Sequence, residues 1–292
     1  MVYVFHHNDI DGYGSAALIR RAFPSVEIRF VCCDYSEPLT ASLLELSFGD
    51  TAYFVDYSFD AAAYHDLDAI VSKLGADHVV WIDHHKSSVD LVSSHPELHS
   101  LKGVIDMRYS GMALVWMYLN GGVYNDDRFD HCPLAVKLIS DYDTWTKSYP
   151  QTDAFNSGMV CQDISVDSVT WDRLLVDNDF MDRIVSDGKA INTYRTNYYA
   201  RKLNKYGFET VFEGHRCLAI NQKDNAEIFA DKRAMYPLCV IFQTDGKRWY
   251  YTVYSSDPHI DCSLIAARYG GGGHKGAAGF VTKELLDVFK CR

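Results

Sequence analysis

The sequence contains no CxxC pair, no basic excess, no low-complexity tract, no internal repeat and no apolar run of bilayer length. Each absence removes a class of function. The eight cysteines are scattered apart from the adjacent Cys32 and Cys33. That excludes a zinc knuckle or a disulfide framework and leaves reduced, mostly buried thiols. A membrane span needs about 20 apolar residues, and the N-terminus lacks a basic region followed by an apolar signal core. The expectation is a cytoplasmic protein with no membrane partner. Proteins that grip long nucleic acid carry a basic footprint, because phosphate neutralisation supplies much of their affinity. A formal net charge of −11 therefore argues against a long duplex as partner. It suits a small substrate, or clustered carboxylates that hold cations.

What remains is an ordinary globular composition, 48% apolar and 23% charged, with ample length for a buried core. In the first half, short apolar runs at 2–5, 26–32, 52–55 and 78–82 alternate with helical patterns at 14–22 and 61–74. Helical patterns follow at 111–119 and 133–139. Such alternation predicts an α/β fold, a parallel-sheet N-terminal domain with helices on both faces. A helix polar on one face, 179–203, reads as a connector. Strands at 217–220, 238–243 and 249–254, then a helix at 260–268, predict a smaller α/β C-terminal domain. The boundary falls near residue 190, giving domains 1–190 and 191–292.

Chemistry concentrates where apolar runs end. WIDHHKS places Asp83, His84 and His85 directly after the run 78–82. Neighbouring side chains on an extended segment face opposite ways, so the two histidines need different partners unless the chain leaves the sheet there. HHNDIDG places His7, Asp9 and Asp11 after the first run, and Asp56 closes the third. SDYD places Asp141 and Asp143 at the end of a helix. In open parallel sheets ligands bind outside the carboxyl ends of the strands, so these groups are expected to share one crevice. Carboxylates so crowded repel unless cations neutralise them. A mixed imidazole and carboxylate set suits manganese, iron or zinc, and the lack of cysteine disfavours structural zinc. Two metals about 3.5–4 Å apart would clamp a phosphoryl group. Each cluster alone reads more readily as a helix cap than as a ligand set; the joint occurrence favours a site.

GGGGHKGAAGF, beginning at Gly270, is the second signal. Successive glycines let backbone N–H groups approach an anion as a concave nest, with His274 and Lys275 at its rim. Ser110 precedes a helix whose N-terminus suits a phosphate, or serves as a plain cap. Trp145 reads as a base-stacking ring or, more conservatively, as core.

Taken together, these residues resemble the DHH phosphoesterase family with its DHH-associated C-terminal domain. Asp83, His84 and His85 are the name-giving triplet, HNDIDG from His7 to Gly12 is similar to the first motif, and Asp56 to the second. GGGHKGAAGF, Gly271 to Phe280, meets the associated domain's signature. The resemblance spans nearly the whole chain. It implies that His7, Asp9 and Asp56 hold one manganese, with Asp11, Asp56, His84 and a fourth-motif aspartate holding another. Asp141 is preferred over Asp143 for that fourth place. Asp83 would orient its neighbours, and His85 would face the substrate phosphate as donor or acid. Gly271, Gly272, Gly273 and His274, with Ser110, would bind substrate. Two Mn²⁺ are the implied cofactors, with Mg²⁺ or Co²⁺ as substitutes, and a homodimer is left open.

The implied activity is hydrolysis of short oligonucleotides or linear dinucleotides to mononucleotides, extending to 3′,5′-bisphosphate nucleosides. The alternatives are a cyclic dinucleotide phosphodiesterase, a single-strand exonuclease, or a non-catalytic nucleotide-sensing module. One departure stands out. Many relatives carry an Arg-Ser pair about twenty residues before the glycines, where this chain reads Val253, Tyr254, Ser255, Ser256. A phosphate clamp from that strand is therefore in doubt.

Overall fold

Strands of a parallel sheet are buried on both faces, so their sequences must be apolar throughout rather than alternating. The computed structural model of the chain bears this out for the three central strands; it describes residues 1–34, 39, 45–61, 63–223, 226–230 and 232–290. The chain divides into two compact units, Met1–Ile191 and Asn192–Arg292.

The first unit holds a parallel sheet of β1 (Val2–His7), β2 (Ile28–Cys33), β3 (Thr51–Val55), β4 (Val79–Asp83) and β5 (Lys102–Ile105), in the order β2-β1-β3-β4-β5. Alternate residues feed two separate cores. Val4, Val55, Val80 and Ile82 pack with Ala16, Leu114 and Leu138 from helices α1 (Ile10–Ala22), α4 (Gly111–Leu119) and α6 (Leu134–Asp143). Phe5, Phe54, Val79 and Trp81 pack on the other face with Leu67, Ile70 and Leu91 from α2 (Tyr64–Leu74) and α3 (Lys86–Ser94). Short helices α5 (Asp126–Asp130), α7 (Thr152–Met159) and α8 (Val169–Leu174) follow.

Two of the differences from the sequence expectation have plain physical reasons. Helix α1 starts at Ile10, four residues early, because Asp9 caps it by accepting from Gly12 N at 2.9 Å. The fifth strand was not foreseen. It is four residues long, more exposed than β4 beside it, and carries Gly103 at φ +115°. A Cβ there would meet the Trp81 carbonyl oxygen at 2.0 Å, so glycine is required by the close approach of β4.

Helix α9 (Asn178–Tyr206) runs across the division between units. The second unit is built on a mixed sheet of β6 (Phe208–Phe212), β7 (His215–Asn221), β8 (Leu238–Thr244), β9 (Trp249–Tyr254), β10 (Gly272–His274) and β11 (Ala277–Thr282). Its order is β10-β11-β9-β8-β7-β6, with only the β7/β8 pair parallel. Val240, Phe242, Val253 and Phe280 pack on one face with Ile265 and Ala266 of α10 (Cys262–Ala267). Leu218, Ile220 and Ile241 pack with Ile228 and Phe229 on the other. Among the described residues, no helix is long and apolar enough to cross a membrane.

Candidate metal centre

Because β1, β3 and β4 run parallel, their carboxyl ends lie side by side, and the acidic residues just beyond them meet. Three groups of ligand atoms each lie within 4.8 Å: His7, Asp9 and Asp56; Asp11, His84 and Asp143; and Asp56, Asp83, His84 and His85. Asp56 and His84 each belong to two groups, so the three form one continuous cluster. Its own backbone is unusual: Asp56 sits at φ +52°, a left-handed conformation that aspartate tolerates better than most residues. Its N–H is held by the Ile82 carbonyl at 2.9 Å.

Helix geometry explains the first motif. His7 Nδ1 lies 2.7 Å from Asp9 Oδ2, while Asp9 Oδ1 caps α1. Gly12 passes so near His7 that a Cβ would sit 2.3 Å from its carbonyl oxygen. Asp11, the second residue of α1, is buried and turns toward the N-terminus of α4. Ser110 Oγ, Gly111 N and Met112 N all donate to its carboxylate, at 2.6, 2.7 and 3.0 Å. The N-terminal amides of α4 therefore hold a carboxylate of the chain itself, which the helix dipole favours. Fully buried, Ser110 turns its hydroxyl to Asp11 and does not cap the helix with its own side chain.

The two histidines of DHH divide as their neighbours dictate. His84 Nε2 lies 3.2 Å from Asp56 Oδ1, 3.1 Å from Asp143 Oδ2 and 3.9 Å from Asp11 Oδ2. His85 Nδ1 lies 2.7 Å from Asp83 Oδ1, and Ser88 Oγ donates to Asp83 Oδ2 at 2.5 Å. Ser58 Oγ is 2.9 Å from Ser88 Oγ. Asp83 is wholly buried, so these bonds fix the plane of the His85 ring.

The fourth-motif preference is corrected. Asp141 faces away from the cluster. It accepts from Ser148 N at 2.6 Å, Tyr149 N at 3.2 Å and Thr152 Oγ1 at 2.5 Å. Asp141 belongs to none of the ligand groups, and it is Asp143 that meets His84 and Asp11. The sequence offered no sign of this, since residues two apart on a helix point in different directions and either spacing fits an apolar run followed by Asp.

Electrostatics show what the cluster needs. Burial, then the charge of Asp143, pushes the Asp11 carboxyl up to about 7, against the pull of His84. Burial and neighbouring Asp11 raise Asp56 well above the usual carboxylate range. Burial opposes charge on His84 as well, yet its hydrogen bonds to Asp143 and Asp56 carry it up to about 11. One buried oxygen, Asp56 Oδ2, has no hydrogen-bond partner at all. A buried carboxylate oxygen without a donor, shared between two imidazole-carboxylate sets, fits hard or borderline divalent cations. Ligation demands ionised carboxylates and neutral imidazole. Divalent-cation affinity is therefore expected to tighten as pH rises through 7, with proton release from Asp11 and His84. Calorimetric heats that do not depend on the buffer's ionisation enthalpy would contradict this.

In the second unit the glycine run forms a hairpin rather than a nest, β10 pairing with β11 at the sheet edge. Gly270 lies in the turn after α10 at φ +75°, with its N–H on the Ala267 carbonyl. Gly271 N is spent on the Ala266 carbonyl at 2.9 Å, and a Cβ there would meet Gly279 O at 2.1 Å. Gly273 adopts φ +142°. Gly272 alone has open space around it and no conformational demand, and His274 beside it is exposed.

No family model matches the chain. It is 25% identical over 318 residues to the oligoribonuclease NrnB of Bacillus subtilis, covering 99% of this chain and 75% of that protein. Across the curated relatives it matches, the chain spans 66% to 75% of their length. The DHH domain of a member of a ribosomal-protein family superposes with a TM-score of 0.55 at 14% identity, covering 95% of this chain and 82% of that one. The pGpG-specific phosphodiesterase PggH of Vibrio cholerae gives 0.53 at 14% identity, over 97% and 92%. Fold and cluster define the class: a two-unit α/β chain with an Asp/His centre at the carboxyl ends of a parallel sheet. In fold it is similar to a DHH domain.

Proposed function

We propose that the chain is a divalent-cation-dependent phosphodiesterase that hydrolyses short oligonucleotides or linear dinucleotides to mononucleotides. The observation that carries this reading is the shared Asp56, with its unpartnered buried oxygen, between two imidazole-carboxylate groups. The likeness to an oligoribonuclease over 99% of the chain supports the substrate class. His7, Asp9 and Asp56 would hold one cation; Asp11, Asp56, His84 and Asp143 would hold a second. When bound, such a pair supplies Lewis acidity toward a phosphoryl oxygen and makes water nucleophilic at neutral pH.

The chain's own groups do the rest. The α4 amides and Ser110 keep Asp11 in place, so a ligand needs no reorganisation when substrate arrives. His85, fixed by Asp83 and Ser88, gives a proton to the leaving oxygen. Gly272 and His274 of the second unit read the nucleotide, a role that suits the one glycine without a structural duty. Manganese is the preferred ion, with magnesium or cobalt as substitutes, and 3′,5′-bisphosphate nucleosides are secondary substrates.

The rival is a nucleotide sensor that binds without cutting; every proposed ligand position is filled by a competent donor, which favours the enzyme. A panel of dinucleotides of both sugars, a pentamer, cyclic dinucleotides and adenosine 3′,5′-bisphosphate separates the readings. With manganese, mononucleotides should accumulate from dinucleotides and pentamer, and chelation should stop this. Dinucleotide binding without product would establish the sensor, and turnover restricted to cyclic substrates would overturn the substrate class.

A further inference from the structure

The turn after α6 carries a feature that neither the cation cluster nor the core requires. Trp145 lies two residues beyond Asp143 and is 78% exposed, whereas the other tryptophans are buried or half-buried. The conservative expectation that it joins the core is wrong. Its backbone is at φ +57°, and Lys147 follows at φ +53°. A bulky aromatic is among the worst residues for that conformation, where glycine or asparagine costs least. A turn selected for shape alone would not place tryptophan there.

The conformation is held from beneath. Asp141 accepts from Ser148 N, Tyr149 N and Thr152 Oγ1, its carbonyl takes Lys147 N at 3.3 Å, and Thr144 Oγ1 bonds the Ser140 carbonyl at 2.8 Å. Strain persists where the surroundings over-determine it. Behind the indole, Tyr142 stacks at 6.4 Å between centroids and 27° between planes. Lys147 Nζ, 3.5 Å from the Tyr142 centroid and 2.6 Å from Asp153 Oδ1, holds that ring in turn. Trp145 is flanked in sequence by Thr144, Thr146, Lys147 and Ser148, and Lys147 Nζ lies 5.5 Å from its ring centroid. One flat ring in a polar rim offers too little apolar area for a protein partner; it matches a single planar heterocycle.

We propose that Trp145 is a stacking platform for a nucleobase of the substrate, beside the cation cluster, with Asp141 positioning its turn. This rests on the phosphodiesterase reading given above. The test compares a linear dinucleotide with an analogue abasic at one residue, using manganese-loaded protein. In Trp145→Ala the preference in kcat/KM for the dinucleotide over the analogue should fall about tenfold, carried by KM. Trp145→Phe should restore most of it. Trp145→Asn, which suits the left-handed backbone, should not. Recovery in Trp145→Asn, or an unchanged preference in Trp145→Ala, would show that the turn matters only as backbone and overturn the proposal. A second arm needs no turnover: a phosphorothioate dinucleotide should quench tryptophan fluorescence in the parent and not in Trp145→Phe. If the parent cuts nothing, the phosphodiesterase reading fails while this arm still decides the role of Trp145. Equal quenching in both proteins overturns it.

Discussion

Replacing Asp56 with alanine is expected to lower dinucleotide hydrolysis by on the order of a thousandfold, the upper range for one preorganised electrostatic group, and to strip bound cation from the protein. The expectation follows from position. Asp56 is the carboxylate common to the His7/Asp9 group and the cluster around His84, so its loss damages both proposed cation places at once. The backbone complicates alanine, because φ +52° is strained for any residue with a Cβ and less so for Asn or Asp. Asp56→Asn keeps shape and tolerates that conformation while removing the charge. Both variants should therefore be inactive, and both should remain folded. Burial and Asp11 disfavour the ionised Asp56 carboxyl in the metal-free protein, so the metal-free Asn variant should melt no lower than the parent. Metal content by mass spectrometry, turnover and melting temperature check the three parts. A full manganese complement in either variant would refute the shared-ligand assignment.

How much of this was legible in the sequence depends on how local each cause is. The central strands are marked by apolar runs because burial on both faces demands them, and the Asp and His residues beyond those runs follow from the rule for parallel sheets. Strand β5 is a half-buried edge of four residues that contains a glycine, Gly103, so neither apolar continuity nor alternation announces it. What Ser110 does depends on a contact between residues 99 apart, Ser110 Oγ to Asp11 Oδ1. No spacing encodes that, and a serine before a helix reads the same whether the amides behind it hold a substrate phosphate or a carboxylate of the chain.

Asp141 and Asp143 show the same limit at shorter range. Both end the same helix, and both are compatible with a motif defined by residue type. Their difference arises from the loop that follows, whose amides at Ser148 and Tyr149 fold back onto Asp141. The glycine run misled in a subtler way. Four adjacent glycines suggest an anion nest, but a turn after a helix, a strand contact and one extended left-handed residue account for Gly270, Gly271 and Gly273. A composition signal is pooled over causes that only geometry separates.

Gly111→Ala should cost both stability and activity, and its effect should exceed that of the chemically identical change at Gly14. A Cβ on Gly111 would lie 2.5 Å from Asp56 Cβ and 3.0 Å from Asp11 Oδ2 and Asp56 Cα. None of those atoms can withdraw cheaply. Asp56 is pinned by its bond to Ile82 O and by its φ, and Asp11 by three donors from the same helix end. The methyl group must therefore push α4 away from the sheet or spread the two carboxylates. Overpacking of this kind costs roughly 1–3 kcal/mol, and a shift of about 1 Å at the reacting centre is worth about a hundredfold in rate. At Gly14 the nearest atom to a new Cβ is Met112 Sδ at 2.6 Å, the flexible part of a side chain that can turn aside. Gly14→Ala should accordingly lower the melting temperature with little change in manganese affinity. Gly111→Ala should lower all three quantities: melting temperature, manganese affinity and kcat. Parent-like metal binding in Gly111→Ala would mean that Asp11 and Asp56 are not held together for a cation, and the account of the centre would have to be redrawn from His84 outward.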